Sequence, residues 1–363
     1  MLSLGGCAVG YYWQAAQGQW QVLTHREPIP RLLDDPRVDP ALKARLRRAL
    51  MIRDYAARRL ALPDNGAYRS YADLGRPYAV WNVFAAPEFS LEPHRWCYPL
   101  IGCASYRGYF HRRGAETEAK RLQQAGYDTF IAGIPAYSTL GWFDDPLLNT
   151  VIHWREPQLA GLIFHELAHQ VVYVRGDTTF NESFASAVER LGVMQWLNER
   201  GTPEQRQDYD RYLRHRDQFD ALLRRYRDEL ARRYAQGGDP TRLRQTKQAL
   251  FAALRTDYQA LKHRWRQGPY FDRWFQAPVN NARFVPLHDY TRLRAAFVCL
   301  RQAARDWPDF YATIRRLARL PPRERTRRLE SACDRGGSWQ TVGSKNDGAS
   351  PRPPPHETGS GAG

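Results

Sequence analysis

Four side chains between residues 165 and 182 have the types and spacing to hold a metal ion and use it: His165, Glu166, His169 and Glu182. They lie in and just after the run Gly161-Leu-Ile-Phe-His165-Glu166-Leu-Ala-His169-Gln170. Residues four apart share one face of a helix, so His165 and His169 can reach one zinc ion. Glu166 is turned by about 100° from His165 and reaches a water beside the ion rather than the ion itself. The neighbours Leu162, Ile163, Phe164, Leu167, Ala168, Val171 and Val172 are apolar, which predicts a buried helix. Two histidines and a glutamate buried without a partner would be costly, and a metal removes that cost.

A catalytic zinc usually takes three protein ligands plus a water. Asn181-Glu182-Ser183-Phe184-Ala185 opens the next predicted helix, after a reversal at Arg175-Gly176-Asp177-Thr178-Thr179. An antiparallel helix pair then brings Glu182 beside the two histidines. The spacing suits a glutamate-ligand zincin and lacks the early glycine and third histidine of the metzincin pattern. The chemistry expected is metal-assisted hydrolysis with Glu166 as general base. An oxyanion donor is still required. Tyr290 and His288 are candidates by their downstream position, against the plain reading of a packing tyrosine and a surface histidine. Glu189, seven residues after Glu182, is either an anchor for a zinc-bound histidine or an ordinary ion-pair partner.

These groups need a scaffold. Helical patterns cover 39–60, 158–175 and 182–199. Residues 76–133 read as strand-rich and aromatic, with a polar helix at 114–125 and a strand at 127–134. Two long polar helices, 203–236 and 240–266, flank Gln236-Gly-Gly-Asp-Pro240 and predict a helical hairpin. The fold class expected is α+β: a zincin-like domain, mostly helical, with a small mixed sheet and a long hairpin. The domain plan is an N-terminal tether over 1–30, the zincin-like domain over 31–335 and a disordered tail over 336–363. The segment Gly133–Gly141 could pair with an extended peptide, and Trp142–Asp145 could line a pocket or form a plain turn. Removal of an N-terminal residue would need a carboxylate to grip the substrate amine, and Glu88, Asp144 and Asp145 are available.

The paired segments His165-Glu-Leu-Ala-His169-Gln and Asn181-Glu-Ser-Phe-Ala-Ser-Ala-Val-Glu resemble the zinc segments of gluzincin aminopeptidases. The chain is more closely similar to the bacterial predicted zinc-dependent aminopeptidases, a family of gluzincin-like HExxH lipoproteins. The stretches that carry this are Gly10-Tyr11-Tyr12, Tyr68-Arg-Ser-Tyr71, Trp81-Asn-Val-Phe-Ala-Ala-Pro-Glu-Phe-Ser90, Pro135-Ala-Tyr-Ser-Thr-Leu-Gly-Trp-Phe-Asp-Asp-Pro146 and Asn280-Asn-Ala282. The resemblance spans residues 4–330 and implies a peptide substrate and a zinc cofactor.

Composition sets the wider frame. The chain has 363 residues, 43% hydrophobic, with a net charge of +16. That hydrophobic content supports a large core and excludes global disorder. The charge is carried mostly by arginines interleaved with acids along helices, so no nucleic-acid partner is expected, and weak attraction to anionic lipid is as plausible. Of the five cysteines, Cys7 follows Leu4-Gly5-Gly6 in a run that resembles a bacterial lipobox. Only six residues precede it, short of a full signal peptide, so the start lies upstream or the match is a coincidence. A lipid anchor on Cys7 would place the chain in the bacterial envelope as a periplasm-facing lipoprotein, and Ala8 suits outer-membrane sorting. In an exported chain Cys97 could pair with Cys103 and Cys299 with Cys333; otherwise all four are reduced thiols. The alternative function is a non-catalytic, zinc-containing envelope protein that binds a partner through its hairpin.

Overall fold

The computed structural model describes residues 6–98, 102–136, 139, 142–286 and 293–333, with side chains from Gly10 onward. Tyr290, His288, Tyr137 and the 336–363 tail lie outside the described residues. The protein is mostly helical with small mixed sheets, compatible with an α+β class.

The centre is an antiparallel helix pair, α6 (Glu156–Val171) and α7 (Thr178–Arg200). Small residues let the two backbones approach. A Cβ added at Gly161 would meet Glu189 Cγ at 3.2 Å, and one at Gly192 would meet Leu60 and Phe164 at 2.8 Å. The helix α3 (Pro40–Leu60) packs on this pair through Leu46, Ala49, Ile52, Tyr55 and Ala56. Three C-terminal helices close the core: α10 (Arg294–Ala303), α11 (Trp307–Ala318) and α12 (Pro322–Glu330). Phe297, Phe310 and Tyr311 bury against Phe180 and Phe184 of α7. The Tyr311 hydroxyl donates to the Leu60 carbonyl at 2.9 Å, which joins the last helices to α3. The Cys299–Cys333 disulfide ties α10 to the segment after α12.

The main sheet has the order β6-β3-β7, with β3 (Val80–Pro87) between β6 (Arg107–Tyr109) and β7 (Tyr127–Ile134), all antiparallel. Its period of two is visible in the packing. Val83 and Ala85 face Ala115, Ala119 and Leu122 of α4 (Arg112–Gln124), whereas Phe84 and Ala86 face Ala282 and Val285. A two-stranded ribbon, β4 (Trp96–Tyr98) and β5 (Gly102–Ala104), carries the Cys97–Cys103 disulfide. A second small sheet joins β1 (Arg26–Pro28), β2 (Ser70–Ala72) and β8 (Leu147–Leu148).

The hairpin consists of α8 (Pro203–Gln236) and α9 (Pro240–Trp265). A capping box of Thr202 and Gln205 starts the first helix, and Asp239 followed by Pro240 starts the second. Its inner face is an apolar cluster of Phe219, Leu223, Tyr226, Leu254 and Tyr258 that includes Phe284. Lys247 reaches Asp128 of β7 at 2.6 Å, so the hairpin is locked to the sheet.

The N-terminal segment is helical over α1 (Gly6–Thr24), which contains no charged residue. It lies on the sheet: Gln14 bonds Gly108 and Phe110, Tyr11 stacks on Tyr98, and Val22 enters a small core with Val80 and Phe110. Among the described residues no helix is long and apolar enough to cross a membrane.

Candidate metal centre

Helix α6 buries Leu159, Ala160, Ile163, Phe164, Leu167 and Ala168, and this fixes which way its polar positions point. His165 and His169 then stand on one face, their rings 5.0 Å apart. The helix ends at Val171 rather than continuing to 175, and α7 begins at Thr178, four residues before Glu182. The reason is local: Asp177 is the cap, accepting from Phe180 N at 3.0 Å. Asn181 closes the reversal, accepting from Val174 N and donating to Val174 O, both at 2.8 Å. The buried Arg325 of α12 holds the Asp177 carboxylate at 2.6 and 3.0 Å.

This arrangement seats Glu182 against both imidazoles. Its Oε2 lies 3.3 Å from His165 Nε2 and 3.7 Å from His169 Nε2. One ligand atom from each of the three residues falls within 4.8 Å of the others. The set fits a divalent zinc: two nitrogens and one carboxylate oxygen, the composition of a catalytic site with room for water. On the other side of the ring, Glu189 faces His165 Nδ1 at 3.2 Å and accepts from Arg216 at 3.4 Å. Among the described residues, His169 Nδ1 is buried without a hydrogen-bond partner.

The electrostatics describe a site that attracts positive charge. Burial opposes ionisation of Glu182, but the hydrogen bonds from His165 and His169 outweigh it and hold its pKa down to about 2. Glu189 is likewise held at about 2, against burial, by His165 and Arg216. Burial also opposes a charge on His165, yet Glu182, Glu189 and Glu166 raise its pKa to about 10. In the metal-free chain a proton on His165 therefore neutralises part of what a metal ion would. Glu166 behaves differently: burial pushes it up, the two histidines pull it back, and the net shift is upward.

The other candidates separate. Asp145 is buried and acts on Glu166, but its carboxylate accepts from Thr139 N and Oγ1 at 2.8 Å each. Glu88 is bound by Arg244 of the hairpin at 2.6 and 2.9 Å. Asp144 packs against Gly66. Of the 133–141 segment, Gly133 and Ile134 close β7, which is an edge strand of its sheet. β7 is also bonded from outside the sheet at Thr129, whose carbonyl accepts from Asn280 Nδ2 at 2.9 Å. Cys7 lies in the first turn of α1, its side chain outside the described residues.

Three tyrosines not singled out as site residues are acted on by the charges of the centre. Crowding around the hydroxyl of the part-exposed Tyr106, then Glu182, Tyr173, Tyr11 and Glu166, push its pKa up to about 12. The Tyr173 ring lies 6.3 Å from that of His169, and burial and Glu182 raise its pKa. Tyr68 is buried and feels Glu166 and Asp145. Tyr173 was within reach of sequence reasoning, one turn beyond His169. Tyr68 and Tyr106 come from distant loops and carried no spacing signal.

The model of a family described as “Putative aminopeptidase” matches residues 10–329. The chain belongs to that family. No curated protein and no solved structure matches it. The family match takes in His165, His169 and Glu182 together with α1 from Gly10 onward, the sheet and the hairpin, and it supports a peptidase.

Proposed function

We propose that this member of the aminopeptidase family is a zinc-dependent peptidase with a zincin-like site of His165, His169 and Glu182. The observation that carries the reading is the convergence of three ligand atoms within 4.8 Å, with Glu166 in the same helix as the two histidines. When bound, zinc supplies a positive charge that acidifies a coordinated water and polarises the scissile carbonyl. Glu166 accepts the proton of the attacking water and delivers it to the leaving amine. Its place next to His165 in the same helix keeps it beside the donor set for both transfers. Glu189 orients His165 through Nδ1 and is itself held by Arg216. Tyr290 remains the proposed oxyanion donor by its downstream position, and Tyr106 and Tyr173 border the same centre.

The test is a panel of fluorogenic peptides with free or blocked N-termini, with and without a chelator, alongside zinc analysis. Chelator-sensitive cleavage restricted to free amines supports an aminopeptidase; cleavage of blocked peptides makes it an endopeptidase. Glu166→Gln should keep zinc and lose cleavage. Stoichiometric zinc with no cleavage of any peptide would favour the non-catalytic envelope protein.

We also propose an envelope location, with a lipid anchor on Cys7 and the outer membrane as destination. Two features support it. The chain carries two disulfides, which persist in oxidising compartments. Helix α1 starts at Gly6, so an acyl chain on Cys7 would hold the helix at the bilayer, and Trp13 and Trp20 are 72% and 69% exposed on one face of that charge-free helix. Tryptophan favours the membrane interface.

A further inference from the structure

The loop between α3 and β2 holds one residue against two separate costs. Tyr68 has φ of +61°, the left-handed region that an L side chain enters against steric resistance. Its side chain is 3% exposed, and its hydroxyl has no hydrogen-bond partner among the described residues. A strained backbone and a buried hydroxyl without a partner among the described residues persist at one position only where the surroundings enforce them.

The surroundings do enforce them. Arg53, fully buried in α3, donates to the carbonyls of Pro63, Asn65 and Ala67 at 2.7, 3.0 and 2.8 Å. Tyr68 N donates to Asp145 O at 2.7 Å. Asn65 Nδ2 donates to Gln170 Oε1 at 2.7 Å. Gln170 is one turn beyond Glu166 on the same face of α6. The Asn65–Gln170 bond therefore seats the loop over the face that carries the base. Glu166 and Asp145 are the carboxylates whose charges act on the Tyr68 hydroxyl. Asp145 already has two donors from Thr139.

We propose that Tyr68 is a positioning residue for Glu166, its hydroxyl donating to the carboxylate as that side chain turns between the attacking water and the leaving amine. The inference rests on the reading of Glu166 as general base. In the structure Tyr68 makes no bond to Glu166, and the bond forms only on rotation of the carboxylate. The proton stays on the tyrosine throughout, so the step exchanges hydrogen bonds alone. With Tyr68 holding one oxygen, the other stays free for the water. Without it, Glu166 would settle against His165 and His169, whose charges already act on it.

The test compares the full chain, Tyr68→Phe, Glu166→Gln and the double variant, each analysed for zinc, melting temperature, kcat and KM on one cleaved peptide. Tyr68→Phe should retain zinc and melt no lower than the parent, because the hydroxyl it removes has no hydrogen-bond partner among the described residues. Its kcat should fall about ten- to a hundredfold, the size of a lost hydrogen bond to a charged group, with KM within about twofold of the parent. Added to Glu166→Gln, it should have no further effect. A parental kcat, or a full multiplicative loss on top of Glu166→Gln, would overturn the proposal. If the parent cleaves nothing, the peptidase reading fails, and the inference falls with the reading it rests on. Where the parent cleaves, a clear drop in the melting temperature of Tyr68→Phe marks an ordinary structural hydroxyl and overturns the inference while leaving the peptidase reading intact.

Discussion

Glu189→Gln separates an anchor for a metal ligand from an ordinary ion pair. In the parent, Glu189 Oε2 sits 3.2 Å from His165 Nδ1 and Oε1 sits 3.4 Å from Arg216 Nη1. Glutamine keeps the volume and one acceptor, so the ring can stay oriented. What disappears is the negative charge that makes Nε2 a better donor to a metal. Loss of such a partner costs about 10–100-fold in metal affinity. The 3.2 Å separation is at the long end for an N–H···O bond, and the amide still accepts. The expected loss is therefore at the lower limit, about tenfold or roughly 1.4 kcal/mol. Arg216 keeps the nearby charge of Asp220, so global stability should fall by only about 1 kcal/mol. The assay is competition for zinc against a chromophoric chelator at neutral pH, with urea unfolding of the metal-free chain as control. Unchanged zinc affinity with reduced stability would refute the reasoning and leave Glu189 as a partner of Arg216 alone.

Three further outcomes are expected. In the metal-free chain, His165 has its pKa raised from 6.5 to about 10, so its stabilising contribution is complete below pH 6.5 and lost as pH rises toward 10. Glu182, lowered from 4.5 to about 2, contributes above pH 4.5 and loses that contribution as pH falls toward 2. Melting curves across pH with and without zinc should show the alkaline loss only in the chelated sample. Arg325→Ala removes a buried guanidinium that holds Asp177 and the carbonyls of Ala318 and Leu320, and should cost about 3 kcal/mol. An unchanged denaturation midpoint would show that the α7 cap does not depend on α12. In a Cys7→Ser chain, Trp13→Ala and Trp20→Ala should each weaken co-sedimentation with anionic vesicles roughly tenfold; equal binding by parent and variants would remove the indole face from the membrane contact.

Some of this protein is local information. The fourfold spacing of His165 and His169, the apolar residues around them and the offset of Glu166 are properties of one helix, and any buried helix with that sequence presents them together. The hairpin limits follow from residues adjacent in the chain, Thr202 with Gln205 and Asp239 with Pro240. The alternation along Val83-Phe84-Ala85-Ala86 belongs to the strand itself. The rest depends on elements far apart in sequence. The distance between Glu182 and the histidines depends on how closely Gly161 and Gly192 let two helices cross, and on Arg325 clamping a cap far upstream of it. Whether Glu189 anchors a zinc-bound histidine or only makes an ordinary ion pair was open in the sequence, because helical spacing gives a face and not a distance. Tyr68 was visible only as part of the stretch Tyr68-Arg-Ser-Tyr71 that resembles the family, with no role attached to it. Its left-handed backbone, its unpaired hydroxyl and its place near Glu166 come from Arg53 gathering three carbonyls of a loop and from one bond between Asn65 and Gln170. Sequence by itself determined which donor atoms share a helical face; tertiary packing decided which other groups were brought to them, because burial and close approach are properties of the assembled core.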